Sequence, residues 1–488
     1  MIQQFVDREP ELKFLEKKYS EATPQLIIIY GRRRTGKTEL IKRFIQNKTA
    51  IYVLCTKDSM AENLKDMKRK LHGITGKEYF LKLDTGSFFD LFRYMLEEIG
   101  NKKVVIALDE FPYLIELERG VVSTFQKICD ELLKDRKVFL LLCGSSIGMM
   151  ETEVLGTTSP LYGRRTGEWK VEPFRFRNLR EMLGKFSIEE LVKAWCVFGG
   201  TPFYLSQIDP KMTVAENIKR KILAKGEILY NEPRILLREE FREPKTYMLI
   251  LKYMSLGCGS QGELSSMTGI EKGNLSKYLS VLEETQLIRY VLPLGQRKRG
   301  IYVISDPFFN FWFRFAYPNL SDLEIGLVDE VFARTKAQLN AYYGTMFEHL
   351  TMELVKSKDV PMPFGFSWAG RWWHKDKEID LVALNEGTKE ILFGECKWQD
   401  GADARKIAGK LREKSKFVGW NADGRKEYYA VFAKSFREKI KEPGLFLFDL
   451  KDIERALLAH GKKAGKASDW AGERLESQPK YERRTRVI

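Results

Sequence analysis

The stretch Gly31-Arg32-Arg33-Arg34-Thr35-Gly36-Lys37-Thr38 constrains this chain more than any other. It fits the pattern G-x-x-x-x-G-K-[ST]: backbone N–H groups close around phosphates, a lysine reaches the β/γ oxygens, and a hydroxyl serves Mg²⁺. Surface turns match this pattern by chance, so the flanks decide. Upstream, residues 25–30 form a short β-branched run, as a buried parallel strand requires. Downstream, Leu40, Ile41, Phe44 and Ile45 make one apolar helical stripe. Strand, loop and helix come in the required order. The loop reads as an ATP site, with Gly31, Arg34, Thr35, Gly36, Lys37, Thr38 and Glu39 expected around the nucleotide.

A second strand is expected at 51–54, followed by a polar helical stretch from Asp58 to Leu71. Residues 103–108 form an apolar strand that ends in Asp109 and Glu110, the shape of a Walker B motif. There the first carboxylate holds Mg²⁺, together with Thr38, and the second polarises the attacking water. Another apolar strand, 137–143, runs into Gly144-Ser145-Ser146. A serine here either touches the γ-phosphate or its water, or caps the next helix. Further on, Arg164 or Arg165 is placed to stabilise transition-state charge, the alternative being a solvated arginine. Strands alternating with helical patterns over residues 20–150 predict a parallel sheet covered on both faces.

Taken together, residues 5–12, Tyr30 to Thr38, Leu108-Asp109-Glu110-Phe111-Pro112, Leu161-Tyr162-Gly163-Arg164 and Gly199-Gly200-Thr201-Pro202 resemble the predominantly archaeal ATPase family. That family belongs to the STAND-related branch of the AAA+ ATPases. The resemblance spans residues 1 to about 240. It implies that Pro202 lies near the adenine and that Arg164 is the family's loop arginine, with Arg165 the weaker candidate.

From Thr246 the texture changes to short helices. Leu275, Leu279 and Leu282 fall at i, i+4 and i+7, which predicts a core face and leaves Lys272, Asn274, Ser276 and Lys277 outward. A hairpin is expected from Leu287, with a basic tip at 295–300. This resembles a winged helix, either a DNA reader with a basic wing or a plain packing module. The aromatic stretch 302–315 reads as core or domain docking rather than base stacking. Residues after His460 read as a mobile basic tail.

The C-terminal third holds a second constellation. Residues 377–384 and 391–398 read as neighbouring strands joined by the turn Asn385-Glu386-Gly387. At period two, Glu395 and Lys397 share a face, and Asp380 sits on the adjacent strand. Glu348, on a helical stripe upstream, adds a third carboxylate. Such a set suits metal-assisted phosphodiester hydrolysis: Glu348, Asp380 and Glu395 bind Mg²⁺, while Lys397 orients water or stabilises charge. D-(spacer)-E-x-K resembles the PD-(D/E)xK nuclease superfamily. More narrowly, 370–373, 378–380 and 394–398 resemble the uncharacterised C-terminal domain attached to many archaeal ATPases. Ile379 stands where the superfamily more often has proline. Trp368, Trp372, Trp373 and Trp398 read as structural.

Length and charge bound the rest. A chain of 488 residues holds two to four domains, and a formal net charge of +15 suggests an acidic polymer as partner. Six cysteines lie far apart, and four histidines build no zinc spacing. Without an apolar run of about 18 residues or a signal-peptide pattern, a cytoplasmic protein with no membrane span is expected. The expected architecture is α/β. It comprises a P-loop AAA+ domain with a helical lid (1–240), a winged helix (241–325), a restriction-endonuclease-like domain (326–460) and a basic tail (461–488). The expected function is an ATPase acting on DNA as an ATP-regulated, Mg²⁺-dependent nuclease, possible as a homo-oligomer. The alternative is a STAND-type switch whose nuclease-like domain only binds.

Overall fold

A computed structural model describes residues 6–296 and 298–466. Phe5, Arg297 of the expected basic tip and residues 467–488 of the expected tail lie outside the described residues. The helix Leu450–Lys466 runs through the position where that tail was expected to start.

Five strands, β1 (Gln25–Tyr30), β2 (Ala50–Leu54), β3 (Val104–Asp109), β4 (Val138–Gly144) and β5 (Gly167–Lys170), form a parallel sheet in the order β2-β3-β4-β1-β5. Burial on both sides explains why β1, β3 and β4 read as unbroken apolar runs. Ile27, Ile29, Val105, Ala107, Phe139 and Leu141 point to one face and pack on Leu15, Leu40, Ile41 and Phe44. Leu26, Ile28, Ile106, Leu108, Leu140 and Leu142 point to the other, against Leu64, Met67, Leu71, Phe92 and Met95. Neither layer leaves an apolar face uncovered. β1 sits inside the sheet between β4 and β5, and the helix that follows its loop reaches across the end of β4, where Thr38 meets Asp109 at the end of β3.

The helix Ile228–Glu240 follows the sheet in the chain, and after it come the helices Pro244–Ser255, Gln261–Thr268 and Lys272–Glu284. Ser260 caps the second of these in a reciprocal capping box with Glu263. Leu275, Leu279 and Leu282 are fully buried, while Lys272, Asn274, Ser276 and Lys277 are exposed. An antiparallel pair, β6 (Ile288–Val291) and β7 (Ile301–Ile304), completes this part. The aromatic stretch then forms core: Phe308, Phe309, Phe311, Trp312, Phe313 and Phe315 are all buried.

A long helix, Val328–Lys356, leads into a mixed sheet of β8 (Trp368–His374), β9 (Lys377–Asn385), β10 (Glu390–Lys397), β11 (Lys426–Ala433) and β12 (Leu445–Phe448). Its order is β12-β11-β10-β9-β8. β8/β9 and β9/β10 are antiparallel, and β10/β11 and β11/β12 are parallel. Trp372 and Trp398 are buried, the latter against Tyr343 and Phe347. One apolar cluster includes Val6 and runs from Phe174 through the helix Ile228–Glu240, the helix 328–356 and the second sheet to Ile453. Among the described residues no helix is long and apolar enough to cross a membrane.

Candidate functional site

The phosphate-loop cleft is built where β1 stops. Gly31 has φ +148°, and a Cβ there would lie 2.3 Å from the Val171 carbonyl oxygen, so only glycine lets the chain pass. The helix Lys37–Ile45 then starts at Gly36 and aims its free N–H groups into the cleft. Lys37 is buried, and its Nζ donates to the carbonyls of Gly31 and Arg32, both at 2.8 Å. Burial holds its pKa below the ordinary lysine value. The Thr38 hydroxyl donates to Asp109 Oδ2 at 2.7 Å, and the Tyr52 hydroxyl donates to the same oxygen at 2.9 Å. Glu110, at φ +56°, accepts from the Ser145 N–H (3.2 Å) and hydroxyl (2.7 Å). Ser145 therefore holds a carboxylate, a third role beside the two weighed for a serine at that position.

Arg33, Arg34, Gly36, Lys37, Thr38, Glu39, Glu110, Pro202, Phe203 and Glu239 line a cavity of about 380 Å³. Most of the residues expected around a nucleotide thus converge. Thr35 faces inward instead, and its hydroxyl donates to the Arg32 carbonyl. Arg164 is not brought to this cleft. Its guanidinium donates to both oxygens of Asp130 at 2.8–3.0 Å, and Arg165 pairs with Glu168 at 2.8 Å.

Three consecutive loop arginines leave in three directions. Arg32 pairs with Asp306 at 2.9 Å, Arg33 with Glu240 at 2.8 Å, and Arg34 with Glu232 at 2.8 Å. Arg34 also lies over the Phe203 ring at 4.3 Å and has φ +69°. Behind the loop, buried Arg8 donates to the carbonyls of Thr35 and Glu172, both at 2.9 Å. The sequence reading missed Arg8, Tyr52, Glu232, Glu240 and Asp306. The nearest signal was the stretch 5–12, which carried part of the family resemblance but no role for Arg8.

The second sheet carries the other constellation. Asp380 on β9 is buried, and its Oδ2 accepts from the Cys396 N–H on β10 at 2.9 Å. Glu395 accepts from Lys397 Nζ at 2.8 Å and from Lys414 Nζ at 2.9 and 3.0 Å. Lys414, on the helix Ala404–Ser415, was absent from the sequence reading. Glu348 pairs with Arg371 at 3.1 Å. Burial, then the charge of Asp380, lifts the Glu348 pKa; burial, then the charge of Glu395, lifts that of Asp380. The four expected residues share one neighbourhood, but their oxygens are turned to different partners. Among the described residues no three His, Cys, Asp or Glu side chains are grouped to hold a metal ion.

A parallel five-stranded sheet with a phosphate loop after β1 and paired carboxylates after β3 defines a P-loop ATPase. Residues 5–208 match the model of an ATPase domain predominantly from Archaea, and residues 312–407 match that of archaeal and bacterial proteins of unknown function. An uncharacterised protein of Methanocaldococcus jannaschii is 38% identical over 456 residues, which cover 92% of this chain and 100% of that protein. The chain belongs to this predominantly archaeal ATPase family. An uncharacterised ATP-binding protein of the same organism is 24% identical over 269 residues, 44% of this chain and 73% of that one. Among solved structures, the Walker-type ATPase of Pyrococcus abyssi is 21% identical with a TM-score of 0.48, over 64% of this chain and 97% of that one.

Proposed function

We propose that the cleft hydrolyses MgATP and that the second sheet acts on DNA as a nuclease under the control of the nucleotide. In the cleft, Lys37 reaches the β/γ-phosphate oxygens, the helix N-terminus receives the phosphates, and Pro202 lies against the adenine. Glu110 orients the attacking water once Ser145 releases it. The Thr38 hydroxyl and the Asp109 carboxylate, 2.7 Å apart, are hard oxygen donors that fit Mg²⁺. The ion supplies positive charge against the phosphate oxygens.

The observation that carries the nuclease reading is the placement of Asp380, Glu395 and Lys397 on paired strands with Glu348 beside them. Burial and mutual repulsion lift two of the carboxylates, and a divalent cation would relieve that repulsion, so this donor set also fits Mg²⁺. Asp380 and Glu395, with Glu348, would hold it, and it would polarise the scissile phosphate. Burial works against the Lys397 cation, but the hydrogen bond to Glu395 and the charges of Glu395 and Asp380 together outweigh it, so Lys397 keeps its proton and faces the developing charge. The winged helix and the net charge of +15 favour a nucleic-acid partner with strongly salt-dependent binding. The test is cleavage of linear, nicked and single-stranded DNA with Mg²⁺ or Mn²⁺, with and without ATP, beside an Asp380→Ala/Lys397→Ala variant. Cutting that needs ATP and is lost in the variant supports the reading.

A second reading, an ATP-dependent switch that grips DNA without cutting it, is favoured by two observations. The loop arginines tie the phosphate site to the helix Ile228–Glu240 and to Asp306, and Lys414 already neutralises Glu395. DNA binding and ATP turnover with no cleavage under any condition would put this reading first. A homo-oligomer in the ATP state fits either reading, with Arg164 then serving a neighbouring subunit's cleft.

A further inference from the structure

A cavity of about 560 Å³ lies between the exit of β5, the turn at Gly200-Thr201, the start of β6 and the helix 328–356. It continues into a lobe of about 280 Å³, and both lobes are lined by Arg175, Trp195, Arg289, Ser305, Pro307 and Glu353. Neither lobe shares a lining residue with the ATP cleft, although Arg32 of the phosphate loop borders the wider one from behind. The size is that of pockets that hold small organic ligands, roughly 300–1,000 Å³.

Charge is distributed unevenly between the lobes. Arg175, Arg289 and Lys356 converge on the smaller lobe, and among the described residues none of the three forms an ion pair or donates a side-chain hydrogen bond. Arg289 and Lys356 repel one another. Burial works against the Arg289 cation, the Glu353 charge offsets part of that and Arg371 adds to it, while burial and the Arg289 charge work against Lys356. Four acids border the two lobes: Glu172, Glu283, Asp306 and Glu353. Glu353, the one acid of the smaller lobe, accepts from the Phe176 N–H at 2.7 Å. In the wider lobe Asp306 is paired with Arg32, and Glu283 accepts from the Tyr290 N–H at 3.1 Å. Two guanidinium forks and an ammonium, set against the single carboxylate of Glu353, leave an excess of positive charge that matches the tetrahedral oxygens of a phosphate. The wider lobe offers Trp195, Phe174, Pro307 and Ile288 as apolar surface for the remainder of such a ligand.

We propose that this cavity is a second anion site, which takes a phosphate group on Arg175, Arg289 and Lys356 and seats the rest of a nucleotide-sized molecule in the wider lobe. The phosphate belongs either to a free phosphorylated molecule or to a short stretch of nucleic-acid backbone. The full-length chain, its ATP cleft saturated with ADP, is titrated calorimetrically with inorganic pyrophosphate and, separately, with a thymidine tetranucleotide. At least one probe binds at one site per chain. The Arg289→Ala/Lys356→Ala variant binds that probe at least about tenfold more weakly, while its affinity for ADP is unchanged. Arg289→Lys, which keeps the charge, retains part of the affinity and shows that the loss is not misfolding. Saturation by pyrophosphate alone assigns a free ligand, and saturation by the tetranucleotide alone assigns a backbone. The proposal is overturned if neither probe binds beyond the ADP site up to about 10 mM, or if the double variant binds as tightly as the parent.

Discussion

The two acidic constellations differ in what satisfies their carboxylates. In the phosphate-loop cleft the partners of Asp109 and Glu110 are neutral: the hydroxyls of Thr38, Tyr52 and Ser145 and backbone N–H groups. On the second sheet Glu395 is held by two ammonium groups and Glu348 by a guanidinium. A hydroxyl donates one hydrogen bond and gives way to a cation or a water at little electrostatic cost. An ammonium brings a full charge that competes with any metal for the same oxygen. The first site is therefore ready for its ligands, and the second has to exchange partners before it can take one.

The contrast can be broken from either side. The largest effect is expected for Glu110→Gln, which should keep ATP affinity while turnover falls by roughly 10²–10⁴-fold in a phosphate-release assay. Normal turnover would show that another group positions the water. Lys37→Ala comes next, with ATP affinity about 10- to 100-fold weaker by nucleotide titration. Unchanged affinity would sink the assignment of the loop. On the second sheet, Lys414→Ala removes a competitor for Glu395, so Mn²⁺ should bind several-fold more tightly; equal affinity would mark the pair as purely structural. A smaller effect concerns Glu353, whose pKa burial lifts from 4.5 to about 7. A raised carboxyl stabilises the fold fully below about pH 4.5 and loses that contribution as pH rises through about 7. Glu353→Gln should therefore flatten the thermal-stability profile over that window. The smallest change is expected for Arg164→Ala in dilute protein, where ATP turnover should stay within about twofold, since its guanidinium faces Asp130 rather than the cleft.

What could be read in advance follows the range of the forces involved. The runs that became β1, β3 and β4, the glycines of the loop and the i, i+4, i+7 leucines of the helix Lys272–Glu284 are local patterns, and each led to the right element. Asp380, Glu395 and Lys397 were legible because period two and one short turn fix their relation. Partners brought together only by folding were not. Nothing near Arg164 announces Asp130, which is 34 residues upstream, and nothing near Glu395 announces Lys414. Ser145 illustrates the boundary. Its position at the end of β4 was visible, but its grip on Glu110 depends on how β3 and β4 lie side by side.

The arginines at 32, 33 and 34 carry a consequence for anyone who would cut this molecule apart. The inherited segments suggest scissors at about residue 208 and again near 312. A fragment ending at 208 would leave all three guanidiniums without Glu232, Glu240 and Asp306, and would tear open the apolar cluster that joins Val6 and Phe174 to the rest of the chain. Two family models meet separate stretches of the chain, yet the arginines and the shared apolar cluster tie those stretches together, so the whole chain is the unit to study.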